Sequence, residues 1–121
     1  MPIRKVLVVD DSKTELMFLS DLLQKNGFAV QTAENADDAM RRLEADKPDL
    51  ILMDVVMLGQ NGFQLTRALA RNPQFAEVPI ILCTSKNQET DRVWGMRQGA
   101  RDYIVKPVEP AELLAKIRAL N

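Results

Sequence analysis

Histidine is absent from the sequence and cysteine occurs once, so the chemistry open to this chain is narrow from the outset. Without imidazole there is no ordinary general base near neutral pH, no usual zinc ligand and no phosphohistidine carrier. The lone Cys83 cannot close an internal disulfide, and its place in the apolar run Ile80–Cys83 reads as a buried strand residue. Net charge is scarce as well: at −1, with a pI near 5.5, the chain lacks the basic face that broad nucleic-acid binding needs. Long apolar runs are also missing. Val6–Val9 and Leu50–Met53 are strand-length, far short of a membrane span, and Arg4-Lys5 is followed by only a short apolar run before Asp10-Asp11, unlike a secretory signal. A cytoplasmic location without membrane insertion is expected.

What remains is carboxylate, hydroxyl and lysine chemistry in a composition ordinary for a globular protein, 46% hydrophobic and 27% charged. A length of 121 residues suits one hydrophobic core, so a single domain over 1–121 is expected, with no attached effector.

Apolar strand-like runs alternate five times with amphipathic stretches, the rhythm of a parallel sheet with crossover helices. Strands are expected at Ile3–Val9, Phe28–Ala33, Leu50–Met53, Ile80–Thr84 and Tyr103–Val105. Helices are expected over Lys13–Lys25, with Leu16, Leu19 and Leu23 inward and Gly27 as its stop, and over Ala36–Glu44, with Ala36, Ala39, Met40 and Leu43 inward. A third helix starts at Asn61-Gly62, carries Phe63, Leu65 and Leu69, and ends near Asn72-Pro73. A fourth, Gln88–Gln98, sets Val93, Met96 and Ala100 in one stripe with Gly99 just past its end, and Pro110–Leu120 turns Leu113, Leu114, Ile117 and Leu120 inward. Strands with so few polar residues suit a sheet covered on both faces, a three-layer α/β sandwich.

Four polar signals fall at the carboxyl ends of strands: Asp10-Asp11, Asp54, Thr84 and Lys106. Ligands of open parallel sheets bind outside those ends, so the four converge on one site. Clustered carboxylates repel, and a divalent cation relieves the repulsion; hard oxygen donors without thiolate or imidazole favour Mg²⁺. A phosphoryl group arriving there meets a cation, the Lys106 ammonium and the Thr84 hydroxyl, while one carboxylate can attack phosphorus. Each signal alone has a plainer reading, since Asp10, Asp11 and Asp54 could all be helix caps. Their joint placement is what carries weight.

The motifs Val8-Val9-Asp10-Asp11-Ser12, Pro48-Asp49-Leu50-Ile51-Leu52-Met53-Asp54, Asn61-Gly62, Thr84-Ser85, Gly99-Ala100 and Tyr103-Ile104-Val105-Lys106-Pro107 resemble the receiver domain of response regulators from end to end. The resemblance implies a flavodoxin-like (βα)5 sandwich with strand order 2-1-3-4-5. It implies Asp54 as phosphoryl acceptor from a histidine kinase or phosphotransfer protein, Mg²⁺ held by Asp10, Asp11, Asp54 and the Val56 carbonyl, and Thr84 and Lys106 on phosphoryl oxygens. It also implies a cis peptide at Lys106-Pro107 and a switch pairing Thr84 with Tyr103, whose ring could otherwise be a strand aromatic packed on a helix. Two departures stand out: Met57-Leu58 replaces the usual Met-Pro, which frees a φ in the loop toward Gly59, and Ser85 replaces a more common alanine.

The stretches Asn61–Arg67 and Gln88–Gln98 are similar to stand-alone regulators of the chemotaxis-like systems that control type IV pilus twitching motility. A monomer read by a downstream motility protein is then expected, through the face of the fourth helix, fifth strand and fifth helix. Trp94 and Tyr103 are candidate partner contacts, with Pro107, Lys13 and Met17 at the kinase-facing rim. Trp94 could instead merely cover the sheet edge. Gly95 in a helix interior points to close packing or local mobility, and Val56 and Lys86 flank the path of an attacking water. Other readings are a phosphate sink for the kinase, a non-phosphorylated adaptor, a flavin protein, and an aspartyl phosphatase. The last needs an acid where Val56 stands, and the turn after the first strand is acidic where a flavin phosphate would need a cradle.

Overall fold

The computed structural model describes residues 2–57 and 60–121. Leu58 and Gly59 lie outside them, and with them the reading of the loop that lacks its proline.

Five strands, β1 (Lys5–Val9), β2 (Ala29–Ala33), β3 (Leu50–Met53), β4 (Ile80–Thr84) and β5 (Asp102–Val105), form one parallel sheet in the order β2-β1-β3-β4-β5. The helices are α1 (Lys13–Lys25), α2 (Ala36–Ala45), α3 (Gly62–Arg71), α4 (Glu89–Arg97) and α5 (Pro110–Ala119). Alternate strand residues enter opposite cores. Leu7, Val9, Ile51, Met53, Leu82 and Tyr103 pack with α2 and α3 side chains on one face, while Val6, Val8, Leu50, Leu52, Ile81 and Ile104 meet Leu16, Leu19, Leu23, Leu113 and Ile117 on the other. The three central strands are buried at every position from Val6 on, as their unbroken apolar runs require.

Several details differ from the sequence reading. β1 begins at Lys5 and β2 at Ala29, because Phe28 N–H donates to Leu23 O (3.1 Å) and Gly27 N–H to Gln24 O, with Gly27 at φ 90°. The backbone of Phe28 is thus spent on closing α1. Val56–Met57 pairs antiparallel with Gln60–Asn61 where only a loop was expected. The inward stripe on α4 is corrected: Val93 and Met96 are 42% and 39% exposed, and within the helix Gly95 is the buried residue. α4 settles on its glycine because a Cβ there would lie 2.6 Å from Leu82 Cδ1 and 3.1 Å from Phe63 Cε1, which rotates Val93 and Met96 outward.

Cys83 is buried in β4, and burial pushes its thiol up to about 12. It should therefore resist a disulfide reagent at pH 8 until urea unfolds the chain. Reaction at the rate of a free thiol in native buffer would contradict a closed β4.

Candidate functional site

The carboxyl ends of β1, β3, β4 and β5 bring the predicted residues together. Asp10 follows β1, held by its N–H on Ala33 O (3.0 Å), and Asp54 follows β3, held by its N–H on Val9 O (2.9 Å). Both are buried, while Asp11 is exposed. One carboxylate oxygen from each of Asp10, Asp11 and Asp54 lies within 4.8 Å of the others. The plainer capping reading fails for α1 and α3. Ser12 caps α1 by accepting from Glu15 N, and Asn61 caps α3 by accepting from Phe63 N at 2.8 Å. Asp10 is not the cap residue, although its Oδ1 accepts from Ser12 N–H at 2.9 Å as the chain enters α1.

Lys106 reaches in from the end of β5. Its Nζ lies 2.7 Å from Asp10 Oδ2 and 3.7 Å from Asp54 Oδ2, and its N–H donates to Thr84 O, before a cis peptide to Pro107. Burial alone would depress this ammonium, but the hydrogen bond and attraction of Asp10, with the charge of Asp54, outweigh it and hold its pKa above the ordinary value. Asp54 behaves oppositely. Burial raises its carboxyl to about 6 against the attraction of Lys106, with Asp10 and Asp11 adding repulsion; among the described residues its backbone donor is Val56 N–H, 3.4 Å from Oδ1. Three carboxylates against one ammonium leave an excess of two negative charges, and every side-chain donor is a hard oxygen. The pocket therefore fits a small hard dication such as Mg²⁺.

Thr84 is fully buried, and its Oγ1 accepts from Lys86 N–H at 3.3 Å. Tyr103 is buried too; its hydroxyl donates to Lys86 O at 2.8 Å, and burial pushes its phenol up to about 12. The main chain of Lys86 thus joins Thr84 to Tyr103, a link sequence reasoning missed because it runs through backbone groups that every residue carries. Lys86 Nζ also lies 3.9 Å from Asp91, tying the loop to the first turn of α4. Tyr103 is therefore a minor surface element in this conformation, 6% exposed at the wall of a cavity between α4 and α5. Of the other candidate contacts, Trp94 is 51% exposed, and Pro107, Lys13 and Met17 are exposed at the rim with Val56.

Residues 6–118 match the response regulator receiver domain family. Among curated proteins, Protein PilH of Pseudomonas aeruginosa is 49% identical over 116 residues, 96% of either chain. The phosphate regulon transcriptional regulatory protein PhoB of Escherichia coli is 38% identical over 97% of this chain but only 51% of its own length. Among solved structures, the Vibrio cholerae chemotaxis protein CheY4 superposes with a TM-score of 0.91 at 30% identity, covering 98% of this chain and 99% of that one. The acid cluster, the cis-bonded lysine and the strand order agree with these likenesses, and the chain belongs to the response regulator receiver domain family.

Proposed function

We propose that Asp54 accepts a phosphoryl group from a histidine kinase or phosphotransfer protein, in a Mg²⁺-dependent reaction, and that the chain signals by protein contacts. The observation that carries this reading is the gathering of Asp10, Asp11 and Asp54 around the Lys106 ammonium, beside a buried threonine hydroxyl. In the transfer, an ionised Asp54 oxygen attacks phosphorus, the P–N bond of the donor phosphohistidine breaks, and the imidazole leaves with the electron pair. Lys106 balances charge on one phosphoryl oxygen and Thr84 donates its hydroxyl to another. Asp10, Asp11, Asp54 and the Val56 carbonyl would hold Mg²⁺, which would supply positive charge against the remaining phosphoryl oxygens. When Thr84 turns toward the phosphoryl group it gives up the bond from Lys86 N–H, and the same strand of loop carries the carbonyl that Tyr103 holds. The modification thereby biases Tyr103 and α4 together.

The similarity to PilH over nearly the whole of both chains supports a place in type IV pilus twitching motility, and the chain is read with it as a cytoplasmic, monomeric, single-domain regulator that a downstream motility protein recognises. The test is phosphoryl incorporation from acetyl phosphate with Mg²⁺. Wild type should gain one phosphoryl group by intact mass, and Asp54→Asn should gain none. Equal labelling of both would end the assignment of Asp54.

A further inference from the structure

We infer that the shoulder between α3 and α4 is a docking site for an acidic segment of a partner protein, with Trp94 as its anchor. The helical phase of α4 places the indole there. Gly95 faces the sheet, and Arg92 lines a cavity with Tyr103, Val105, Glu112 and Lys116, so that flank looks toward α5. Trp94 is two residues on, about 200° around the helix, and lies on the flank toward α3. It is therefore not on the face of α4, β5 and α5 where the sequence reading set it.

The α3 side of this shoulder is fixed by two close approaches. A Cβ at Gly95 would meet Phe63, and one at Gly99 would lie 2.7 Å from Ala70. Arg67, four residues after Phe63 and three before Ala70, borders the same groove, and Arg97 neighbours Trp94 at i+3. Arg67 and Arg97 are exposed, and neither forms an ion pair among the described residues. Asp91, the acid nearest along this flank, is taken up by Lys86. Trp94 and Val93 add apolar surface that is half exposed. An exposed tryptophan between unpaired arginines is the composition of an interface anchor, and its charge calls for carboxylates opposite. The patch is too sparsely basic for an anionic membrane, which takes about 4–8 clustered cations, and the net charge of −1 speaks against nucleic acid. The site is separate from the phosphoryl pocket and needs no modification to be present.

The test is selection of displayed random peptides on the intact chain, followed by fluorescence titration of the leading synthetic peptide against Trp94. Enriched peptides should carry Asp or Glu around an aromatic or leucine. Affinity measured by calorimetry should fall about tenfold or more in Trp94→Ala and again in Arg67→Glu/Arg97→Glu, and less in the milder Arg67→Gln/Arg97→Gln, each with an unchanged circular dichroism spectrum. Enrichment of neutral or basic peptides, or equal binding by these variants, overturns the proposal. So does co-sedimentation of the wild type, but not the double glutamate variant, with vesicles of anionic phospholipid, which would assign the patch to a membrane. A sedimentation mass that halves in Trp94→Ala would assign it to a second copy of this chain.

Discussion

Alanine at position 62 should damage both stability and the phosphoryl site, although it adds a single methyl group. Gly62 is the first residue of α3, and its N–H donates to Val55 O at 2.8 Å, which draws the helix onto the segment leaving β3. A Cβ there would press on the Asp54 carbonyl oxygen and lie 2.8 Å from Val55 Cα and 2.9 Å from Asp54 C. These are backbone atoms, so no side chain can rotate away. Either the first turn of α3 lifts or the segment leaving β3 moves, and overpacking of this kind costs about 3 kcal/mol from a total stability of about 5–15 kcal/mol. Displacement of Asp54 by a fraction of an ångström should also slow phosphoryl acceptance by about tenfold or more. Urea unfolding and the rate of labelling by acetyl phosphate check the two effects. Gly27→Ala is the control: its Cβ meets nothing within 4 Å, and only the positive φ of 90° is penalised, at about 1 kcal/mol. Equal losses in the two variants would show that a Cβ at position 62 is accommodated and that the close approach to Asp54 does not explain the glycine.

The parts of this fold that were legible in the sequence are those whose physics lives in side-chain type. Central strands buried on both faces must be continuous apolar runs, and Val6–Val9, Leu50–Met53 and Ile80–Thr84 are. Asn61 advertised the start of α3 because a short side-chain acceptor suits that position, whereas at α1 the cap is Ser12 and not the aspartates before it. Asp10, Asp54, Thr84 and Lys106 stood at strand ends, where an open parallel sheet concentrates its chemistry; the cis peptide at Lys106-Pro107 came only with the family resemblance. What was missed depends on the absence of a side chain or on the main chain. In a helix as short as α4, Val93 and Met96 suggested a phase, but the true contact is a glycine, which has no hydrophobic signature. Phe75 and Val78 are buried in the connection between α3 and β4, outside any periodic element, so no stripe announced them. The bond from Tyr103 to Lys86 O has the same origin: only the donor is written in the residue type.

In metal-free buffer the protein should lose stability as the pH rises from about 4 to 6, and Asp54→Asn should remove that loss. The folded chain holds the Asp54 proton up to about 6, whereas the unfolded carboxyl releases it near 3.8. Between those values the native state binds more protons than the unfolded state, so the unfolding free energy falls with each step upward and the full cost is reached above 6. That displacement corresponds to on the order of 3 kcal/mol at 1.36 kcal/mol per unit, and solvent at the open rim of the site reduces it to about 2 kcal/mol. Asparagine keeps the shape without the charge, and Lys106 keeps its 2.7 Å contact with Asp10, so the variant should be the more stable protein at pH 8 by about that amount. Other groups titrate over the same range, and the difference between wild type and variant isolates Asp54. Added Mg²⁺ should reverse the order, because a dication bound by the ionised cluster stabilises only the fold that assembles it. Urea midpoints at pH 4, 6 and 8, with and without Mg²⁺, measure all of this. Parallel pH profiles for the two proteins would mean that Asp54 ionises without cost, and that its burial does not hold the proton.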